Sequence, residues 1–239
     1  ISIASPWPRE EIGRLILATV RAANRRDCLV RVLLSRGPGS MGVSPLDCPR
    51  PGLYILVHKA VPPFMSAHPG GARVVTSDVP VKAGEYATIK TCNYLPNAMM
   101  KKQAVERGAD FAVGFDEAGF VAEGATENLG ILTAHQVLVI PNPGRILNGT
   151  TMLRAFDLAG EGVREGWLAG RQHARITREE LLAAPEVFIF GTTTDVTAVV
   201  EIDGRPVGDG KPGPVQAELN RLVLAEQASD NPHSVPAFA

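Results

Sequence analysis

The sequence predicts a two-domain α+β fold in which strand pairs and helices alternate along the chain. Two observations favour this class over a doubly wound sheet. Short runs of β-forming residues are separated by turn signals such as Asp116–Gly119 and Asp203–Gly204, which is typical of antiparallel hairpins. Segments of helical length and periodicity lie between these pairs. Two clusters of proline and glycine within 61–71 further predict a linker that divides the chain.

Residues 1–60 are predicted to form a small N-terminal α+β domain. A helix is expected over 5–24, with Pro8 in its first turn and one apolar stripe along its length. The runs 28–35 and 53–58 are rich in β-forming residues and predict two strands. The apolar stripe consists of Ile12, Leu15, Ile16 and Val20.

Residues 72–239 are predicted to form the larger domain. The expected strands are 72–76, 110–115, 119–122, 128–133, 136–140, 186–190, 196–202 and 205–207. The expected helices are 95–108, 149–159, a short one that begins at Thr177, and 212–226. Gly160 is expected to end the second of these helices. Thr177 and Glu180 form a capping-box pattern at the start of the third.

Composition places the chain among ordinary globular proteins and argues against several functional classes. Hydrophobic residues make up 45% and charged residues 21% of the chain. The net charge of -1, without a basic block, argues against nucleic acid or an anionic membrane as a partner. No apolar run has the length of a membrane span, and the histidines and cysteines lack metal-ligand spacing. Three unevenly spaced cysteines favour a reducing cytoplasm over a disulfide framework.

Four polar clusters set in apolar sequence indicate the chemistry. They are KTCNYLPN (Lys90–Asn97), VAEGATEN (Val121–Asn128), NGTT (Asn148–Thr151) and FGTTT (Phe190–Thr194). Together they supply an amine, a carboxylate and two glycine-led turns rich in hydroxyl groups. An amine condenses with the aldehyde of pyridoxal phosphate, a carboxylate pairs with its pyridine nitrogen, and such turns donate to its phosphate. The combination predicts a pyridoxal-phosphate enzyme.

Lys90 is the candidate amine. A single lysine is most often a solvated surface charge, but Ile89 and Leu95 on either side of Lys90 suggest a segment that enters the core. In such a segment a desolvated ε-amine can act as a nucleophile and as a base for proton transfer. Tyr94 is placed either to donate to the ring oxygen of the cofactor or to pack in the core at a helix start.

Glu123 is the candidate carboxylate. It follows an apolar run and precedes Gly124, so it either caps the following turn or faces the pyridine nitrogen from a buried position. In the second case its charge keeps the nitrogen protonated, and the ring then withdraws electrons from the Cα of the substrate. Asn128 is expected to orient the loop that carries Glu123.

The two threonine-rich turns are candidate phosphate ligands. Thr150 and Thr151 lead directly into a predicted helix, whose first N–H groups favour an anion. A plain N-cap by Asn148 or Thr150 is the alternative interpretation. Thr192 and Thr193 lie in the second turn, after a strand that is predicted to be buried.

In these motifs the sequence resembles the class IV aminotransferases. This fold-type IV pyridoxal-phosphate family includes branched-chain aminotransferase, D-amino acid transaminase and aminodeoxychorismate lyase. The resemblance covers the second domain, through KTCNYLPN, VAEGATENLGIL, ILNGTT, PEVFIFGTTTDVTAVVEIDG and GKPGPVQAEL. It implies two α+β domains with the cofactor between them, in a homodimer whose subunits complete each substrate pocket.

The resemblance also assigns roles to individual residues. Lys90 matches the lysine that binds the cofactor aldehyde, Tyr94 a residue that contacts the ring oxygen, and Glu123 the partner of the pyridine nitrogen. Arg36 is similar to an arginine near the substrate carboxylate in some members. The residues that match the phosphate site are Thr150, Thr151 and Thr192.

Two departures from the family pattern stand out. The helix after the first phosphate turn usually begins Gly-Ile-Thr-Arg, whereas this chain has Gly149-Thr150-Thr151-Met152 and so lacks the arginine. The family also carries an N-terminal segment, with a phosphate-binding arginine, that would precede Ile1. The N-terminal domain is therefore expected to be incomplete.

The function implied is transfer of an amino group between an amino acid and a 2-oxo acid. The stretches GATEN, NYL and GSMGVSP favour the branched-chain subgroup. A lyase of the aminodeoxychorismate type, which uses the same lysine to eliminate, and a D-amino acid transaminase are the alternatives. A non-catalytic binding protein with the same fold is a further one, but binding alone would not require both Lys90 and Glu123.

Overall fold

The computed structural model of the chain describes residues 3–228 and 234–238. These residues separate into two units. The first contains the described residues up to Val61 together with 234–238, and the second runs from Pro62 to the end of the long described stretch. The domain boundaries predicted at 60 and 72 stay a prediction.

The first unit holds one helix and a two-stranded antiparallel sheet. Its elements are α1 (Arg9–Ala23), β1 (Cys28–Ser35), a 3-10 turn (Pro45–Asp47) and β2 (Gly52–Lys59). The two strands pair over their whole length, with Cys28 opposite Lys59. The helix begins at Arg9 and not at residue 5 as predicted, because Pro8 has an extended ψ of 157° and disfavours helical geometry at the residue before it.

The second unit combines one mixed sheet with helices. Its strands are β3 (Ala72–Thr76), β4 (Phe111–Phe115), β5 (Val121–Gly124), β6 (Asn128–Leu132), β7 (Val137–Pro141), β8 (Gly170–Ala174), β9 (Glu186–Gly191), β10 (Asp195–Ile202) and β11 (Arg205–Pro206). Its helices are α2 (Phe64–Ala67), α3 (Leu95–Glu106), α4 (Thr150–Glu165), α5 (Arg178–Ala183) and α6 (Pro214–Ala228), and a 3-10 turn spans Gly84–Thr88. The predicted α+β class is confirmed.

Six of these strands close into a ring. β10 pairs with β3, β3 with β4, β4 with β5, β5 with β6, β6 with β9, and β9 returns to β10. The β10–β3 and β3–β4 pairs are parallel, and the other four are antiparallel. Each strand of the ring therefore has a partner on both sides, and the position of every strand fixes that of the next.

Alternate side chains of the ring strands face different apolar cores. On β9, Val187 and Ile189 belong to one buried cluster, whereas Phe188 and Phe190 belong to another. The second cluster also contains residues of α4 and α6, which cover that face of the sheet. A third cluster joins α3 to β3 and β4 through Met100, Ala104, Val75 and Ala112. The alternation of side chains along β9 between two clusters is the period of two that the pleat of a strand imposes.

α4 does not end at Gly160 as predicted. It continues to Glu165 and is capped by Gly166, whose φ of 84° lies in the left-handed region. Within the helix, a Cβ added at Gly162 would lie 2.5 Å from the ring of Trp167. The helix thus tolerates Gly162 because this position packs closely against an aromatic ring. β8 and α2 were not predicted; β8 has a polar sequence without alternation, and α2 has only four residues.

Three further observations concern membranes, metals and thiols. No helix in the described part of the chain is long and apolar enough to cross a bilayer. Within residues 3–228 and 234–238, no three His, Cys, Asp or Glu side chains are grouped so that they could hold a metal ion. The three cysteines are free thiols.

The start of α6 is held by a buried carboxylate of β9. Glu186 accepts the backbone N–H of Val215 at 3.1 Å and that of Gln216 at 2.8 Å, two groups that have no partner within the helix. Burial raises the pKa of the Glu186 carboxyl, and the two N–H groups act in the opposite direction. Gly213 leaves room for this carboxylate, since a Cβ there would lie 2.1 Å from the carboxyl carbon.

Gly213→Ala is therefore expected to destabilise the protein by about 2 kcal/mol, because the new methyl group must displace a pinned, buried carboxylate. Urea unfolding of the two proteins measures the difference. Gly160→Ala is the matched control: its nearest neighbour would be the flexible Arg171 side chain at 3.5 Å, so stability should stay equal or rise slightly. Equal stability of Gly213→Ala and wild type would contradict this view of the α6 start.

Candidate active site

Glu123 is a buried carboxylate near the end of β5, with 8% of its surface exposed. Its Oε2 accepts the backbone N–H of Leu147 at 3.1 Å, and its Oε1 lies 3.7 Å from Nζ of Lys82. Burial raises the pKa of the Glu123 carboxyl above its ordinary value, while the Leu147 N–H and the charges of Lys82 and Lys90 lower it. The side chain binds a distant loop and does not cap the turn that follows it.

Asn128 faces Glu123 across the β5–β6 pair and binds the same loop. The two residues are register partners, so their side chains lie on the same face of the sheet. Nδ2 of Asn128 donates to the carbonyl of Leu147 at 2.8 Å. The N–H and the C=O of Leu147 are thus held by two neighbouring buried side chains. Asn128 orients the loop that contains Leu147, whereas the sequence suggested the loop that carries Glu123.

Gly149 allows the loop to pass close to Asn128. A Cβ at this position would lie 1.9 Å from Oδ1 of Asn128, so no larger residue fits without movement. Gly149 is also the N-cap of α4, and it supplies no side chain to the first N–H groups of the helix. Thr150 and Thr151 form the first turn of α4, where backbone N–H groups have no partner within the helix.

The second threonine turn lies beside Asn128. Asn128 is opposite Phe190 in the β6–β9 pair, which brings Gly191 and the turn that follows it next to β6. Thr192 and Thr193 are exposed in this turn, whereas Thr194 is buried. Oγ1 of Thr194 has no hydrogen-bond partner among the described residues. The order β5, β6, β9 therefore places the carboxylate, the amide and this turn on adjacent strands.

Lys90 lies in an irregular segment between a 3-10 turn and α3. The prediction that this segment enters the core is wrong, because only Ala87 packs inward from the 3-10 turn, and Ile89 is 47% exposed. Lys90 itself is exposed, but its charge still acts on Glu123. Tyr94 is the N-cap residue of α3 and is 38% exposed, so it does not pack in the core.

Sequence reasoning missed Lys82 and the role of Asn97. Lys82 and Glu123 line the same small cavity together with Asn97, which is buried and donates to the carbonyl of Ala125. Oδ1 of Asn97 has no hydrogen-bond partner in the described part of the chain. No local pattern marks Lys82, because its contact with Glu123 is created only by the fold. Arg36 belongs to the first unit, where it directly follows β1.

These groups fit a negatively charged aromatic cofactor that carries an aldehyde. A buried carboxylate can pair with a protonated ring nitrogen, and amines close to it can react with an aldehyde. The helix start at Thr150 offers N–H donors to a phosphate, and two hydroxyl-rich turns lie near the same strands. These donors therefore fit pyridoxal phosphate, without the arginine that family members add at the phosphate.

Comparison with known proteins shows the family. Residues 1–202 match the family model described as amino-transferase class IV, and the chain belongs to this family. It is 34% identical, over 96% of its length, to the chloroplastic D-amino-acid transaminase of Arabidopsis thaliana, and it spans 61% of that protein. It is 29% identical, over 92% of its length, to a branched-chain-amino-acid aminotransferase of Pseudomonas aeruginosa, of which it spans 70%.

A solved structure supports the same assignment of fold. The T.th. branched-chain amino acid aminotransferase, complexed with N-(5'-phosphopyridoxyl)-L-glutamate, superimposes with a TM-score of 0.85 at 32% identity. The match covers 95% of this chain and 73% of that one. The fold-type IV architecture that the motifs implied is thereby confirmed.

Gly149→Ala tests the contact between the turn 148–151 and Asn128. The added methyl group must push Asn128 away from Leu147, which should cost about 2 kcal/mol of stability. In an Asn128→Ala background the clash is gone, so the same substitution should cost much less. Unfolding free energies of the four proteins give the coupling. Additive effects of the two changes would show that Asn128 and Gly149 do not contact each other.

Proposed function

We propose that this chain is a pyridoxal-phosphate-dependent aminotransferase that moves an amino group between an amino acid and a 2-oxo acid. The observation that carries the proposal is the buried carboxylate of Glu123, which is bonded to Leu147 just before the turn 148–151 and lies in the field of Lys90. Membership of the class IV family supports it. Binding alone would not require both Lys90 and Glu123.

Lys90 would hold the cofactor and move the proton. Its ε-amine would hold the cofactor through the aldehyde carbon, with the aldehyde oxygen leaving as water, and the free amine would take the proton from the substrate Cα. Pyridoxal phosphate, when bound, supplies an electron sink for the charge left at Cα. The exposure of Lys90 leaves this amine accessible to both.

Glu123 and Tyr94 would bind the ring. The ionised carboxylate of Glu123 would hold a proton on the pyridine nitrogen, which is what makes the ring electron-withdrawing. Tyr94, at the start of α3 with its side chain partly exposed, would donate to the ring oxygen. Asn128 would act indirectly, by fixing the loop that Glu123 also binds.

The two threonine turns would bind the phosphate. The backbone N–H groups at the start of α4 and the hydroxyls of Thr150 and Thr151 would form one side of the site. Thr192 and Thr193, exposed in the turn between β9 and β10, would supply the other side. Hydroxyl and backbone N–H donors together suit a doubly charged anion.

We propose a branched-chain L-amino acid as the substrate, with Arg36 as a ligand of the carboxylate. The sequence motifs of this subgroup and a superimposable branched-chain aminotransferase support this. A D-amino acid is the second candidate, because the Arabidopsis relative bears that name. A homodimer, as the family resemblance implies, and a cytoplasmic location, as the free cysteines favour, complete the proposal.

A half-reaction screen tests the function. Single amino acids are added to the full chain loaded with pyridoxal phosphate, and conversion of the cofactor to its amine form is followed by absorbance. Conversion with L-leucine, L-valine or L-isoleucine supports the first candidate, and conversion with D-alanine supports the second. Release of pyruvate with the cofactor regenerated indicates a lyase. A loaded protein that no amino acid converts would contradict transamination.

The phosphate ligands are tested by removing a hydroxyl while keeping the side-chain shape. Thr151→Val and Thr192→Val should each weaken cofactor affinity by about 1.5–3 kcal/mol, the range for hydrogen bonds to charged groups. Thr133→Val is the control: its hydroxyl binds Val137 N–H at the far end of β6, so stability should fall and cofactor affinity should not. Affinities equal to wild type in both test variants would leave the two threonines with a structural role only.

Glu123→Gln separates an electrostatic role from a structural one. Glutamine has nearly the same volume but no charge, so the variant should fold and bind the cofactor. Loss of about 3–4 kcal/mol of transition-state stabilisation should slow the half-reaction by a few hundred-fold. Cofactor occupancy and single-turnover rate are measured on one preparation. Turnover close to that of wild type would exclude the pairing of Glu123 with the ring nitrogen.

A further inference from the structure

Lys82 is the closest charged partner of Glu123 and has no role in the function proposed above. Its Nζ lies 3.7 Å from Oε1, and its side chain is 14% exposed, against 11% for Glu123. Both residues line the same small cavity, whose other walls are formed largely by Val81, Pro96, Met100 and Asn97. Lys82 is therefore a lysine largely removed from water and aimed at a buried carboxylate.

The buried surroundings of Glu123 favour a charged partner. A carboxylate that is removed from water loses hydration, so its ionised form is disfavoured unless hydrogen bonds or opposite charges replace the water. One oxygen of Glu123 has the N–H of Leu147, and the other faces only the ammonium group of Lys82 among the hydrogen bonds and ion pairs of the described residues. The two carboxylate oxygens of Glu123 thus have different partners: the backbone of Leu147 for Oε2 and the charge of Lys82 for Oε1.

Lys90 does not replace Lys82 in this role. Lys82 and Lys90 are the two charged groups that act on Glu123, but Lys90 is exposed and forms no ion pair with it among the described residues. In the proposed reaction the amine of Lys90 is also occupied by the aldehyde. Lys82 takes no part in that bond, so its ammonium group stays beside Glu123 throughout.

We propose that Lys82 is a positioning residue for the reaction: its ammonium group keeps Glu123 ionised and holds the carboxylate in one orientation towards the site of the ring nitrogen. This inference rests on the proposed function. Lys82 itself touches neither the reacting atoms nor the aldehyde in this proposal, and it acts only through Glu123.

The pair is tested first without cofactor. Lys82→Met keeps most of the length of the side chain and removes its charge, so the ionised form of Glu123 becomes more costly in the folded protein. Because burial already raises the pKa of the folded Glu123 carboxyl, this loss should be smallest at low pH, where the carboxyl becomes protonated in the folded wild type and the folded variant alike, and should grow as the pH rises. The melting temperature of Lys82→Met, relative to wild type, should thus fall further at about pH 8 than at about pH 5.

Two companion variants make this result specific. In a Glu123→Gln background, Lys82→Met should leave the melting temperature equal or raise it, with no dependence on pH. Lys82→Arg keeps the charge and should restore most of the stability at high pH. A loss that is the same at both pH values, or that persists in the Glu123→Gln background, would overturn the proposal in favour of simple packing.

The second readout is the pH profile of the half-reaction in the loaded protein. With Lys82→Met, the acidic limb should move to higher pH and the rate at about pH 6 should fall several-fold, while the rate at high pH changes little. Lys82→Arg should return the limb towards wild type. A pH-dependent loss of melting temperature in Lys82→Met, without any shift in the acidic limb of the half-reaction rate, would overturn the positioning role. Failure of the proposed function is distinct, because wild type itself would then convert no amino acid.

Discussion

The two hydrogen bonds that hold the peptide groups of Leu147 are the constraint on which the site depends. Glu123 and Asn128, opposite each other on β5 and β6, bind its N–H and its C=O. The residues that follow Leu147 are the turn before α4 and the first helical residues of α4. The two hydrogen bonds to Leu147, together called the clamp, therefore fix the distance between a buried carboxylate and a helix N-terminus. Gly149 is required because the clamp brings the chain against Asn128. Loss of either side chain would leave buried polar groups of the loop without partners, which costs more than the hydrogen bond itself.

The closed ring of strands gives the clamp its rigidity. β5, β6 and β9 are neighbours in it, so the carboxylate, the amide and the turn after Gly191 cannot move independently. α4 and α6 pack on one face of the sheet through the same apolar cluster, and α6 is in turn anchored to β9 by Glu186. The elements that carry candidate cofactor ligands are thus tied to one sheet. A site that must align a ring, a phosphate and an amine needs this kind of support.

Local sequence patterns allowed several elements of the fold to be predicted. The capping box at Thr177 and the Asp203–Gly204 turn were identified correctly, because each depends on residues close in sequence. The end of α4 was not, since the residue that takes the left-handed conformation is Gly166 and not Gly160, and a glycine inside a helical pattern does not by itself stop the helix. The contact of Lys82 with Glu123 joins residues far apart in the chain and leaves no sequence signal. The expected burial of Lys90 was wrong because apolar neighbours in an irregular segment have no regular face on which to pack.

The central claim is that Lys90, and no other amine, binds the cofactor aldehyde. The most direct measurement is borohydride reduction of the full chain with pyridoxal phosphate, followed by digestion and mass spectrometry of the labelled peptide. We expect the label on Lys90, and we expect Lys90→Ala to remain unlabelled while Lys82→Met is labelled as wild type. Lys82 is the stringent comparison, because it is the other amine whose charge acts on Glu123. A label on Lys82, or a reducible adduct that survives in Lys90→Ala, would contradict the assignment of the site.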